Sequence, residues 1–336
     1  MQLEDDFGRG VTGIRVSVTD RCNFDCVYCH NEGLGDPRGP QAPGEDELSA
    51  EEIVRILEVV EGHGVESVKF TGGEPLLRKD LEEIVANTPD TMEISLTTNA
   101  AMLPGRAEGL AEAGLERVNV SLDAADPETF ADVTQATPAA FDRVREGIDA
   151  AIAAGLTPVK LNTVVFERTL PAVPGLLEYV ARREGIQLQL VEYMPEIAGN
   201  PEWRVDIDRV HDRLAERADR IERREIHGRR RYFLSPADGT DADSEGMVEV
   251  VDAVENPRFC SKCHRIRLTP DGKFRGCINR PDDVTAFDPS LRTDIRRTFK
   301  EVVHNRIPYY DEYMVEEDGE WVQNDRYEEL SSSADG

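Results

Sequence analysis

Val11-Thr-Gly-Ile-Arg15-Val-Ser-Val-Thr-Asp-Arg21-Cys22-Asn-Phe-Asp-Cys26-Val-Tyr28-Cys29 is the stretch on which the fold turns. Residues 11–19 alternate apolar and polar side chains, which predicts a β-strand. Three cysteines follow that strand directly, spaced x3 and x2. Downstream, Ser49 and Glu52 form the pattern of a capping box and open a helix that runs to about Gly62.

Strand and helix patterns then alternate. Strands are predicted at 66–70, 92–97, 116–121, 158–164 and 187–193, and helices at 79–88, 104–113, 138–154 and 172–184. Thr137-Pro138 starts one helix well and Gly155 stops it. Six strands separated by helices predict an α/β fold with a parallel sheet, an incomplete (βα)6 TIM-like barrel. Unusual polar residues gather at the C-terminal strand ends: Thr71-Gly-Gly-Glu-Pro75, Thr97-Thr-Asn99, Ser121-Leu-Asp123 and Glu192-Tyr-Met-Pro195. In such folds that face carries the site.

The pattern changes near residue 200. Residues 201–231 read as a charged helix followed by a loop, and 236–246 as an acidic, turn-rich loop. Short strands are predicted at 247–252, 265–269 and 273–276, with Pro270-Asp271-Gly272 turning the last pair. The expected organisation is a barrel over 1–200, a smaller α+β region over 201–310 that closes the barrel mouth, and an acidic, mobile tail over 311–336.

The 336 residues carry 67 Asp and Glu against 39 Lys and Arg, a net charge of −28. A surface this acidic excludes general nucleic-acid binding and attraction to anionic membranes. Only six of the basic residues are Lys, which predicts a protein adapted to a salt-rich interior, where salt screens self-repulsion. No apolar run is long enough for a membrane span, and the acidic N-terminus offers no signal-peptide core, so the chain is read as cytoplasmic.

All six cysteines fall in two triplets, Cys22-x3-Cys26-x2-Cys29 and Cys260-x2-Cys263-x13-Cys277. In a cytosolic chain such grouping points to metal or redox chemistry. Three thiolates suit a [4Fe–4S] cluster with one iron left open. The alternative at the first triplet is zinc completed by His30, and at the second a zinc knuckle completed by His264.

The first triplet resembles the signature of the radical S-adenosylmethionine (SAM) superfamily, and Thr71-Gly72-Gly73-Glu74-Pro75 resembles its second signature. On the residues alone, Gly72 and Gly73 let the backbone approach a ligand closely. Ile14-Arg15 through Cys22, and Phe259-Cys-Ser-Lys-Cys263-His-Arg265-Ile-Arg267-Leu-Thr-Pro-Asp-Gly272 through Cys277, resemble one branch in detail. That branch is the GTP 3′,8-cyclase, or MoaA, family of molybdenum-cofactor biosynthesis. The resemblance covers about residues 10–285 and implies a barrel of the radical SAM type with two [4Fe–4S] clusters. The first would bind SAM and the second the guanine of GTP. It also implies the reaction: a deoxyadenosyl radical takes the ribose 3′ hydrogen, and C3′ then attacks guanine C8.

Carried over residue by residue, Tyr28, Gly73, Ser121 and Met194 match SAM-contacting positions. Arg15, Lys69, Thr97, Lys160, Arg265 and Arg267 match GTP-contacting positions. The chemistry agrees, since guanidinium groups bind phosphate in fork geometry and a polyanion needs a basic funnel in so acidic a chain. The plain alternatives are surface ion pairs for the cations and core filling for Tyr28 and Met194. Implied partners are GTP, a reduced flavodoxin- or ferredoxin-like electron donor, the next enzyme of the pterin pathway, and a second copy in a homodimer. Two features depart from the family: relatives often end in Gly-Gly where this chain has Asp-Gly336, and Lys69 stands where some carry Arg. Rival readings are another radical SAM enzyme with an auxiliary cluster, of the peptide-maturase type, and a non-enzymatic Fe–S or zinc protein. Gly8-x-Gly10-x-x-Gly13 fits a dinucleotide pattern but precedes its strand, and no P-loop sequence occurs.

Overall fold

The computed structural model describes residues 2–33, 47–224, 229–239, 245–280, 283–310, 314–317 and 320–323. Strands β1 (Gly13–Ser17), β2 (Ser67–Thr71), β3 (Glu93–Thr98), β4 (Arg117–Ser121), β5 (Val159–Val165) and β6 (Ile186–Glu192) lie in chain order, each parallel to the next. The period-2 pattern predicted all six. The side chains they turn outward, such as Ile14, Val68, Leu96, Val118, Leu161 and Leu188, are buried and apolar.

Helices cover that apolar face. They are α1 (Ala50–Glu61), α2 (Leu81–Ala86), α3 (Ala107–Glu112), α4 (Pro127–Thr134), α5 (Pro138–Ala153) and α6 (Val173–Ala181). The capping box of α1 forms: Ser49 Oγ accepts from the Glu52 amide, and Glu52 accepts from the Ser49 amide at 2.8 Å. Helix α4 is an addition to the sequence reading. Asp126 caps it by accepting from the Thr129 amide at 2.8 Å, with Pro127 in its first turn.

After α7 (Pro195–Ala198) comes α8 (Ile207–Arg217), as the charged pattern predicts. The loop predicted next is instead an antiparallel pair, β7 (Arg220–Arg223) and β8 (Arg230–Leu234). Strand β7 is exposed along its length, so no alternation marks it; its partner β8 holds it in place.

The C-terminal region extends the sheet at both edges. Strand β9 (Gly246–Val251) pairs parallel to β6 and antiparallel to β8. Helix α9 (Pro257–Ser261) leads to β10 (Arg265–Leu268), parallel to β1, then β11 (Lys273–Arg275) and β12 (Val284–Ala286). The result is one twelve-stranded sheet, ordered β12-β11-β10-β1-β2-β3-β4-β5-β6-β9-β8-β7. Residue 200 thus divides the sequence but not the sheet. Helix α10 (Arg292–His304) packs on α1. In the tail, β13 (Met314–Glu317) and β14 (Glu320–Gln323) pair antiparallel; the residues around Gly336 lie outside the described ones. Among the described residues no helix is long and apolar enough to cross a membrane.

Candidate functional site

The inner face of the sheet is polar. Paired neighbours across it are Arg267, Arg15, Lys69 and Ser95; Thr97 with Asn119; Asn119 with Lys160; and Asn162 with Gln189 and Glu249. Parallel sheets are ordinarily apolar on both faces. The polar belt on this inner face departs from that rule.

The first cysteine triplet follows β1 at the C-terminal strand ends. Its three thiols are half-buried and close enough to raise one another's pKa. Burial first, then Glu74 and Cys29, pushes Cys22 up to about 12; burial and Asp123 push Cys26 up. Cys26 and Cys29 also line a cleft with Asp25, Arg168 and Asn200.

Gly72 and Gly73 explain how this loop is held. The Gly73 amide donates to Thr19 O at 2.9 Å and the Glu74 amide to Arg21 O at 2.7 Å. A Cβ at Gly73 would stand 2.1 Å from Arg21 O, and one at Gly72, whose φ is +135°, 2.2 Å from Thr19 O. In the structure the close approach is therefore to the backbone leading into Cys22. Glu74, which the sequence reading quoted without a role, is fully buried. It accepts from the Leu76 amide, Thr98 Oγ1 and the Asn99 amide at 2.7–2.9 Å. Burial outweighs those bonds and pushes its carboxyl up to about 6.

Around this loop stand the other residues assigned to SAM. Tyr28 Oη donates to Asp123 at 2.6 Å, and its ring meets Phe166 edge-on at 5.7 Å. Asp123 also accepts from the Val164 amide at 2.9 Å, and burial pushes its carboxyl up to about 6. Ser121 ends β4 opposite Asn162, and Met194 directly precedes α7; both are half-buried.

The second triplet lies at the other end of the strands. Cys260 and Cys263 precede β10, at the end where parallel β1 begins, and the Thr12 amide donates to His264 O at 3.0 Å. Strand β11 runs back antiparallel and delivers Cys277 to the same end. The second triplet thus closes the N-terminal end of the barrel, and the mouth at the C-terminal strand ends belongs to the first. A five-residue strand separates the two levels by roughly 16 Å.

Arginines surround the second triplet. Arg9 donates to Cys260 O at 3.1 Å, Arg306 donates to Cys263 O, and Arg275 donates to Cys277 O at 3.0 Å. Burial raises Cys263, but Arg265, Arg306 and Arg267 overcome it and bring the thiol down to about 7. Among the described residues no three His, Cys, Asp or Glu side chains form a group that could hold a metal ion.

Between the two ends sit all six residues assigned to the nucleotide. Lys69 Nζ donates to Asn119 Oδ1 at 3.0 Å, and Asn119 to Asn162 Oδ1 at 3.3 Å. Burial, then Arg15, Lys160 and Arg265, pushes the Lys69 ammonium well below its usual value. Arg15 falls to about 10, mainly through burial. Thr97 Oγ1, Arg15 Nε and Arg265 Nε are buried without a hydrogen-bond partner. Leaving a buried donor unpaired costs about 1–3 kcal/mol, so these groups fit a polar, anionic ligand.

Residues 16–179 match the radical SAM superfamily and 186–312 match Molybdenum Cofactor Synthesis C. A probable GTP 3′,8-cyclase of Halobacterium salinarum is 56% identical, over 99% of this chain and 97% of that protein. Counterparts from Methanocella arvoryzae and Methanosarcina acetivorans are 37% and 40% identical, each over 92% of this chain and over 94% and 90% of their own lengths. The chain belongs to the MoaA family of radical SAM proteins. Among solved structures, Streptococcus suis SuiB bound to S-adenosylmethionine matches with a TM-score of 0.62 at 15% identity, over 90% of this chain and 67% of that one. Native anSMEcpe with bound AdoMet matches at 0.58 and 15%, over 88% and 81%. At that identity the likeness is one of fold. The acidic, lysine-poor composition agrees with the Halobacterium relative.

In this MoaA-family chain the structure adds acidic residues that the sequence reading left out. Glu32 lies between Arg15 Nη2, at 2.6 Å, and Arg267 Nε, at 3.4 Å. Burial alone would raise its carboxyl, but Arg15, Arg267 and their neighbours bring it to about 2. Glu249 has Arg224, Arg229 and Arg231 within 3.6–3.9 Å. Phe259 has Arg229 and Arg265 5.7 and 5.9 Å from its ring centre. These contacts set Arg229, which directly precedes β8, and Arg265 of β10 against the ring carried by α9. A family of contacting cations around few carboxylates was the available signal, but in an Arg-rich sequence each acid reads as one more surface charge.

Proposed function

We propose that this chain converts GTP to (8S)-3′,8-cyclo-7,8-dihydroguanosine 5′-triphosphate, the first step of molybdopterin biosynthesis. The observation that carries the reading is the inner face of the sheet, a basic polar belt with a cysteine triplet at each end. Cys22, Cys26 and Cys29 would hold one [4Fe–4S] cluster, and Cys260, Cys263 and Cys277 a second; three thiols carried to each end by one short loop or by neighbouring turns suit that donor chemistry, and cluster binding would draw them together. Bound at the first site, cluster and SAM supply a carbon radical able to take hydrogen from an unactivated C–H bond.

The chain's own residues do the rest by placement. Tyr28, fixed by Asp123, and Gly73, Ser121 and Met194 surround SAM. Lys69, Lys160 and Arg15 hold the triphosphate, and Thr97 with Arg265 and Arg267 orients the nucleoside against the second site. The barrel wall excludes water from the reacting carbon. The ribose loses its 3′ hydrogen and the ring gains one electron and one proton, so the product is an isomer of GTP. The cleft beside Cys26 and Cys29 is the approach for a small one-electron donor, and the setting is the cytoplasm.

The test is anaerobic purification in high salt, reconstitution, and iron counting, followed by incubation with SAM, GTP and dithionite. The reading expects about eight irons, a GTP effect on one cluster by EPR and a SAM effect on the other, and an isomer of GTP by mass spectrometry. About four irons plus zinc, with GTP silent, refutes it.

A further inference from the structure

We propose that Glu32 is the positioning residue of the nucleotide site: its carboxylate sets Arg15 and Arg267 in place, and its carbonyl ties them through Arg275 to the Cys277 turn. This rests on the nucleotide reading given above and names a residue that reading does not use.

The geometry is specific to this one side chain. Glu32 Oε1 accepts from Arg15 at 2.6 Å and from Thr71 Oγ1 at 3.3 Å; Oε2 faces Arg267 Nε at 3.4 Å. Its carbonyl accepts from Arg275 at 3.3 Å. The four donors come from β1, β2, β10 and β11, so one residue touches four strands. Arg275 in turn donates to the carbonyls of Cys277, Ile278 and Arg280 at 2.9–3.2 Å, wrapping the turn after the last cysteine. Glu32 itself stands three residues after Cys29. Two residues therefore join the loop of one thiol site to the turn of the other.

The backbone shows that this placement is imposed. Asn31 and Glu32 both adopt positive φ, 47° and 54°. Consecutive non-glycine residues in that region are strained and persist only where the surroundings over-determine them. The ion pairs are also well shielded, with side chains 12% exposed at Glu32 and 10% at Arg267, so this is no solvated surface pair.

One carboxylate between two guanidiniums, with Lys69 and Arg265 nearby, leaves the belt net positive. Removing its charge therefore strengthens attraction for a triphosphate while releasing the two arginines from a fixed spacing. Affinity and turnover should separate, which a merely structural role does not produce.

The experiment compares wild type, Glu32→Gln and Glu32→Asp, each reconstituted in high salt and checked for iron content and fold. GTP binding is read by equilibrium dialysis and by the EPR line shape of the GTP-responsive cluster; kcat, KM and the ratio of SAM cleaved to product complete the set. For Glu32→Gln the expected result is a GTP Kd equal to wild type or tighter, kcat lower by tenfold or more, a higher SAM-to-product ratio, and a broadened line shape with GTP. Glu32→Asp keeps the charge with shorter reach and should recover part of the loss. A Glu32→Gln enzyme with wild-type kcat and coupling overturns the proposal, as does weaker binding with unchanged kcat. If Glu32→Gln does not fold, a Glu32→Asp enzyme indistinguishable from wild type in kcat and line shape overturns it. Wild type that binds no GTP overturns instead the nucleotide reading beneath it.

Discussion

The two cysteine triplets carry the same ligand chemistry in opposite surroundings. The first sits among burial and carboxylates, with Glu74, Asp123 and Asp25 near its thiols, all of which resist a further negative charge. The second sits among Arg265, Arg267 and Arg306, which bring Cys263 down to about 7 against the effect of burial. The difference sorts ligands by sign. A sulfonium cation suits the acidic end and a nucleotide triphosphate the basic one. On the reading proposed above, the two ligands would meet in the polar belt between them. On the proposed reading, a chain of net charge −28 binds GTP through the local group of cations Arg15, Lys69, Lys160, Arg265 and Arg267.

The comparison breaks most completely at the cysteines. Cys22→Ser should abolish SAM cleavage. Cys263→Ser should leave SAM cleavage, uncoupled from product, and silence the EPR response to GTP. Each variant should hold about half the iron of wild type. If Cys263→Ser keeps full iron and its GTP response, the second triplet is not the nucleotide end.

A next, smaller effect tests how the first end is built. Gly73→Ala places a methyl 2.1 Å from Arg21 O, backbone that has no room to yield. Overpacking of this kind costs about 1–3 kcal/mol, here through displacement of the loop that enters Cys22. Iron should be lost from the first site only, read by counting and by loss of the SAM-sensitive signal. Full iron in both sites would mean the loop tolerates displacement.

The sign rule itself is tested by a pair of single substitutions. Arg267→Ala removes a charge-assisted contact worth about 1.5–3 kcal/mol, so GTP affinity should fall about 10- to 100-fold with SAM affinity unchanged. Asp123→Asn should do the reverse, weakening SAM about tenfold through the loss of Tyr28's anchor and leaving GTP alone. Both are dialysis measurements. An Arg267→Ala protein that loses SAM and GTP equally would show one site where two are described.

Much of this was legible before the structure. The six barrel strands follow from alternation because one face packs on helices, and the cysteine spacings stand out in any composition. The pairing of Arg15 with Lys69 across β1 and β2 follows once those strands are parallel and in register. What escaped was of two kinds. Strand β7 hides in an Arg- and Glu-rich run, since an exposed strand leaves no apolar period to read, and β8 buries only Tyr232 and Leu234, too short an alternation to stand out in that run. Glu32 escaped, and Glu74 and Asp123, although quoted at the strand ends, were given no role, because a sequence with 67 acids offers no way to tell a buried carboxylate from a solvated one. Their roles depend on donors that lie far away in sequence: Arg267 for Glu32, the Asn99 amide for Glu74, the Val164 amide for Asp123. The glycine pair was noticed for close backbone approach; that one such approach is to Thr19 and Arg21, the backbone leading into Cys22, was not legible, because it depends on how two loops distant in sequence pack.

The smallest expected effect lies where the segment that leads to the second triplet leaves the first end. Glu192 closes β6, just before Met194, and accepts from the Val254 amide at 2.9 Å on the segment that leads to Cys260. Burial pushes its carboxyl up to about 7, against Val254 and Arg204, which lower it. Below about pH 4.5 the group is protonated in both folded and unfolded chains, and its contribution to stability is fully present. As pH rises from there to 7, the unfolded chain ionises and the folded one does not, so the contribution is lost; above 7 the fold carries a buried charge. The span is worth roughly 3 kcal/mol at 1.36 kcal/mol per unit. Glu192→Gln keeps an acceptor for the Val254 amide and removes the titration. Its melting temperature in molar salt should therefore fall less than that of wild type between pH 5 and pH 8. Parallel slopes would mean that Glu192 ionises freely in the fold, and that the link between the acidic and basic ends is no drier than the surface.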